Sequence, residues 1–384
     1  MKAIWLGGFG GALILFLIGL SIYLVKQNTT SGASDFPEGE IIRTETPMAE
    51  GKVYVAVENE GVIVVLSEKE NKVLARIPLE KKDGLKFLQY TAHNVQVSPD
   101  GRSVWVTANA SEGSAGHRKS VANVGDEVIV IDPSTNAIVK RIDMGTDNHL
   151  SHIVLSPDGN FAYAASQEKS MVTEIDTQTY ATTRTFSLRA QSGPHGMRLS
   201  PDGRLAILAL LEGEGLGILD LRSGMTEYIP LPGAAVQTAA TPDGKYALSS
   251  IYDPASLAVY DLATKELRII PLPSEAKGPV QIYPSEDSQN IYIADQGVYF
   301  DKEAGSTIYE FSIQEMRVTR SMQAGNAPHG LTVSADNSRL YVTNLETDDV
   351  SVINIQDGAE IARIPVGDAP NGISVWTGSS LKNP

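Results

Sequence analysis

The 384-residue chain contains no cysteine. That excludes disulfides, thiolate metal sites, covalent attachment of a c-type haem, a cysteine nucleophile and a lipidated-cysteine anchor. Positive charge is also scarce: 31 Lys and Arg stand against 46 Asp and Glu, giving a net charge of −15. Such a surface repels phosphate backbones, and the densest internal basic cluster, HRKS at 117–120, is too small to reverse it. No nucleic-acid partner is expected. Beyond residue 25 there is no sustained helical period, which argues against helical and α/β folds.

The one long uncharged run is AIWLGGFGGALILFLIGLSIYLV at 3–25. It is long enough to cross a bilayer as a single helix. The cleavage-like SGAS at 31–34 is a poor and late signal-peptidase site, so the expectation is an uncleaved signal-anchor over residues 1–26. Lys2 and Lys26 flank the run almost evenly, and the N-terminus is placed inside because the remainder reads as one exported domain. Residues 27–50 are polar and rich in Gly, Ser and Thr, as a flexible tether is. A propeller is expected over 51–378, on the periplasmic or cell-surface side of a membrane, with a short tail at 379–384.

The propeller comes from a repeat. VSPDG, LSPDG, LSPDG and ATPDG end at Gly101, Gly159, Gly203 and Gly244. Proline fixes φ at the first corner, Asp bonds its own backbone, and Gly accepts a left-handed conformation. Two looser copies follow, at 283–295 and 333–344. The turn residues Asp100, Asp158, Asp202, Asp243, Asp287 and Asp336 are spaced by 58, 44, 41, 44 and 49 residues. That is the period of a propeller blade. Each copy runs through four short apolar-polar strands. The final APNGISVW at 369–376 is a first strand with nothing behind it, and 52–79 supply second, third and fourth strands with no first. One blade is therefore shared between the termini, which closes the ring. The count is seven, with eight admitted only if the first long gap hides a blade.

The stretch LYVTNLETDDVSVIN at 340–354, with recurrent SPDG and PHG, resembles the YVTN family of β-propeller repeats. The resemblance covers the chain from about residue 50 onward. It implies an all-β propeller of the WD-repeat/YVTN-like superfamily. That superfamily spans surface and periplasmic propellers of unknown task, nitrous-oxide reductase, haem-d nitrite reductase and lactonases. Fold is thereby implied more firmly than chemistry.

In a propeller the first strands line the central channel and begin at its top face. Aligned on the turn Asp, these starts are His93, Ser151, His195, Val236, Val280, His329 and Asn371. The next positions are Asn94, His152, Gly196, Gln237, Gln281, Gly330 and Gly372. His149 lies in a handover loop on that face. Two insertions, within 108–127 and 295–307, fall between second and third strands and so also belong to the top; the first carries His117 and the second Tyr299 and Phe300. Long loops on a rigid scaffold, and a channel mouth, are where binding concentrates.

Three functions are compatible with this ring. The first is a scaffold that binds a protein or small ligand through its top face, without catalysis. The second is a copper, zinc, iron or haem site in redox chemistry or cofactor delivery, with His93, His195 and His329 as metal ligands and His152 beside them. The third is a lactonase-like hydrolase using the histidines and Arg198. Gln237, Gln281 and Asn371 complete the ligand-contacting candidates. The bland alternative is that imidazoles at the first-strand starts bond neighbouring backbone and close the ring.

Overall fold

The structure, a computed structural model, describes residues 51–84, 86–111, 124–298 and 302–378. The segments expected to be anchor, tether and tail, together with His117, Tyr299 and Phe300, lie outside the described residues. Among the described residues no helix is long and apolar enough to cross a membrane.

The described residues form seven antiparallel sheets. In blade 1, the strand Pro370–Trp376 pairs with Lys52–Val57, which continues to Val62–Ser67 and Lys72–Pro78. The shared-blade closure read from the two termini is therefore present. Blades 2 to 7 begin with the first strands Lys86–Val97, Leu150–Leu155, Pro194–Leu199, Ala235–Ala240, Pro279–Pro284 and Pro328–Val333. Each sheet then meanders outward through its second, third and fourth strands.

Blade 2 corrects the four-strand expectation. Its sheet has a fifth strand, Lys81–Asp83, hairpinned onto Lys86–Val97. All three residues of that strand are exposed, so no alternation of apolar and polar residues betrays it. Part of each insertion is also strand: Val104–Ser111 in blade 2, and Asn290–Gly297 with Ala304–Ser312 in blade 6, are longer than their counterparts.

Burial explains the strand patterns. The third strand Glu127–Asp132 and second strand Val104–Ser111 are buried on both faces between neighbouring blades, and read as near-continuous apolar runs. Fourth strands such as Glu360–Pro365 face solvent and keep only Ile364 buried. The core is correspondingly a set of inter-blade layers. Trp105 packs between blades 2 and 3, and Trp376 joins the layer between blades 1 and 2, its Nε1 donating to the Gly101 carbonyl at 2.6 Å.

The repeated turn behaves as its chemistry dictates. Ser98 Oγ bonds Asp100 Oδ1 at 2.6 Å, and Asp100 Oδ1 accepts from the Arg102 amide at 3.0 Å. The same pair recurs in Ser156–Asp158, Thr241–Asp243, Ser285–Asp287 and Ser334–Asp336, each at 2.6 Å. These hydrogen bonds hold the Asp158 carboxyl below its ordinary range and that of Asp336 down to about 2. Gly101, Gly159, Gly203 and Gly244 take φ between 67° and 72°, while the looser copies place Ser288 and Asn337 there instead.

Every first strand breaks register at its entry. In blades 4 to 7 one residue of the second strand opposes two of the first, at 195–196, 236–237, 280–281 and 329–330. Blades 1, 2 and 3 slip at 371–372, 93 and 151. The seven positions aligned from the sequence are thus a ring of β-bulges, a feature that re-aims side chains.

Candidate functional site

The bulges set the backbone of the channel entry, and the neighbouring blade fixes how close it comes. A Cβ on Gly330 would lie 2.1 Å from the Asn371 carbonyl oxygen, and one on Gly196 2.6 Å from the Gln237 Cα. Glycine at these positions lets adjacent first strands touch. The residues entering the ring also carry strain: His149, Ala327 and Ala369 have φ of 47°, 54° and 56°, which side chains with a Cβ rarely adopt.

Three imidazoles meet here. The His93 ring lies edge-on to both His149 and His195, with centroids 5.7 Å apart in each case. His93 is buried. The Asn371 amide donates to its Nδ1 at 2.9 Å and to Glu58 Oε2 at 2.9 Å. With Nδ1 accepting, the His93 proton sits on Nε2. Glu58 Oε1 is 3.6 Å from Nδ1, yet the two do not form an ion pair at neutral pH, because burial pushes the His93 pKa down to about 4.

His195 uses its other nitrogen. Its Nδ1 lies 3.0 Å from the Val236 carbonyl oxygen, which can only accept, so Nδ1 carries a proton and donates. His149 is presented by a carboxylate: Asp126 Oδ2 accepts from the amides of Asn148 at 3.0 Å and His149 at 3.2 Å, and Oδ1 from Ala110 at 2.9 Å. Burial nevertheless raises the Asp126 carboxyl. Asn109 pins the next residue, accepting from the Leu150 amide at 2.7 Å and donating to its carbonyl at 3.2 Å.

His152 lies one residue deeper. Its Nε2 accepts from Arg198 Nη1, so it too is neutral; desolvation first, then Arg198, His195 and His93, hold its pKa well below the ordinary value. His152 Nδ1 and Gln237 Oε1 are buried with no hydrogen-bond partner among the described residues, as is Gln296 Nε2. Gln296 Oε1 is 3.1 Å from His329 Nδ1. Gln281 is buried at its bulge. Val236, Val280 and Tyr252 form a small apolar cluster on blades 5 and 6.

The structure therefore brings His93, His149, His195 and Asn371 together, with His152 next to them. His329 is buried against Gln296. Among the described residues, no group of three His, Asp or Glu has the arrangement of a metal-ligand set. Arg198, offered as a group for a hydrolase, reaches His152 and also lines a cavity at the opposite mouth of the channel. Glu58, Asn109, Asp126 and Gln296 were missed. They stand near the ends of second strands or just before a third, and the positions aligned from the sequence followed only the first strands. Glu58 in particular meets Asn371 across 313 residues, a contact that exists only once the ring closes.

The profile of a family described as the SMP-30/Gluconolactonase/LRE-like region matches residues 22–252. No curated protein sequence matches the chain. Among solved structures, the chain is similar to the periplasmic gluconolactonase PpgL of Pseudomonas aeruginosa, with a TM-score of 0.65 and 14% identity over 85% of this chain and 99% of that one. A streptogramin B lyase gives 0.61 and 16% over 86% and 93%. The hydrazine synthase of Kuenenia stuttgartiensis gives 0.62 and 17% over 83% and 99%. At these identities the likeness is one of fold.

Proposed function

The chain belongs to the SMP-30/Gluconolactonase/LRE-like family, and on that premise we propose that its channel entry opens a cyclic ester by hydrolysis. Of the three functions compatible with the sequence, the hydrolase is the one this family supports. The observation that carries the reading is the pairing of His93, neutral and protonated on Nε2, with His195, which donates from Nδ1, their ring centroids 5.7 Å apart.

In this reading His195 Nε2 takes a proton from water as its oxygen bonds to the lactone carbonyl carbon. The carbonyl oxygen gains negative charge and accepts from His93 Nε2–H, which burial keeps neutral and Asn371 keeps oriented. Collapse of the tetrahedral adduct breaks the ring C–O bond. The proton on His195 passes to the departing alkoxide, and the product is a hydroxy acid. Asp126 positions His149 beside the His93 ring. The reading keeps the propeller outside the cytoplasm on the strength of the uncharged run 3–25 alone.

The test is acid release from a panel of γ- and δ-lactones by the purified full chain. Turnover above the buffer rate, reduced by His195→Gln in a folded protein, supports the proposal. A folded wild-type chain that accelerates no lactone in the panel overturns it.

A further inference from the structure

The channel has a second end. On the face formed by the Ser-Pro-Asp-Gly turns, a cavity of about 450 Å³ is lined by Gln96, Arg198, Tyr283, Thr332 and Ser374, one residue from each of five blades. That volume suits a small molecule.

Arg198 is the only cationic residue of this lining, and its guanidinium is inside the channel rather than on the surface. Nη1 is committed upward, to His152 Nε2 and to the Met197 carbonyl at 2.9 Å. Among the described residues no carboxylate forms an ion pair with Arg198. The one carboxylate of the lining, Glu286, is exposed and bonded to Asn337. A guanidinium holds five N–H donors in a plane and keeps its charge, so in this half-buried setting, with the Tyr283 phenol as its favourable neighbour and no carboxylate partner, donors and charge are only partly answered. Around it stand hydroxyls and an amide. Ser374 Oγ accepts from the Val97 amide at 3.1 Å, which leaves its own proton to donate.

We propose that this cavity binds a small hydroxy carboxylate, its carboxylate on the Arg198 fork and its hydroxyls among Gln96, Thr332, Tyr283 and Ser374. The chain as a whole carries a charge of −15, so an anion is drawn here by a local feature and not by the general field. The proposal does not depend on the hydrolase reading.

Calorimetric titration of the full chain with gluconate, and separately with inorganic phosphate, tests it. Expected is saturable 1:1 binding of gluconate, weakened at least about tenfold by Arg198→Met and by Gln96→Glu. Gln96→Glu keeps the side-chain shape and places a carboxylate on the same wall, so it decides the matter should Arg198→Met fail to fold. His195→Gln is expected to leave gluconate affinity unchanged. No saturable binding up to about 10 mM, or binding insensitive to Gln96→Glu, overturns the site. Affinity lost in His195→Gln but kept in Gln96→Glu assigns the binding to the upper mouth and overturns it too. A preference for phosphate overturns the carboxylate assignment.

Discussion

Thr343 of blade 7 donates its hydroxyl to the carbonyl of Asn371 in blade 1 at 2.7 Å, while accepting from the Gly330 amide at 2.7 Å. One side chain thus satisfies the amide released by its own blade's bulge and ties the next blade to it. Ser250 does the same between Gln237 and Val280, accepting at 3.1 Å and donating at 2.6 Å. This is the physical content of the threonine in the YVTN stretch.

Thr343→Val keeps the shape and removes both bonds, leaving a buried amide and carbonyl without partners. A loss of about 1–3 kcal/mol is expected, read from the midpoint of denaturant unfolding, with Thr343→Ser restoring most of it. Equal stability of the Val and Thr proteins rules out the clip.

Gly330→Ala and Gly159→Ala separate steric from conformational demands. A Cβ at Gly330 meets the Asn371 oxygen at 2.1 Å, whereas at Gly159 nothing lies within 4 Å and only the φ of 71° opposes it. Expected losses are about 2–4 kcal/mol for the first and about 1–2 kcal/mol for the second. Thermal melts of both variants check the order.

The pKa of His93 falls from 6.5 in the unfolded chain to about 4 in the folded one, and His152 moves the same way. Between those values the unfolded chain binds more protons. Stability is therefore full above pH 6.5 and declines as pH falls towards 4, by about 3 kcal/mol for His93 alone. His93→Gln should flatten that slope in unfolding curves taken across the window. A slope unaltered by the substitution contradicts a buried neutral imidazole.

A chain ending at Asp368 lacks the first strand of blade 1 and exposes the edge of Lys52–Val57, six buried residues in the intact ring. Such an edge pairs with other chains. Loss of the single cooperative melt, with self-association on size-exclusion chromatography, is expected; a monomer with the wild-type melt contradicts closure through this blade.

If lactones are turned over, His195→Gln should lower kcat by about 10²–10⁴ as a missing base does, and His93→Gln by about 10²–10³ as a missing oxyanion donor does. Replacement of the exposed Met225 should change neither. Parallel kinetics on the three proteins give the comparison.

Much of this architecture was legible in the sequence because its causes are local. A Ser-Pro-Asp-Gly turn bends by its own dihedral preferences and hydrogen bonds wherever it stands, so its spacing counts the blades. The orphan first strand at 369–376 and the orphan strands at 52–79 can be matched by pattern alone. The aligned positions even marked the bulges, since each bulge lies at a fixed distance from its turn. Tertiary structure decided the rest. The sequence offered His93, His195 and His329 as one ligand set, but the rings beside His93 are His149 and His195, and the Asn371 amide that donates to His93 and the Val236 carbonyl that accepts from His195 each come from a neighbouring blade. Glu58 reaches Asn371 only through closure, and Arg198 sits between two mouths because its strand runs the length of the channel. Side chains that meet at the axis are separated by tens to hundreds of residues, and no local preference encodes which of them will face each other.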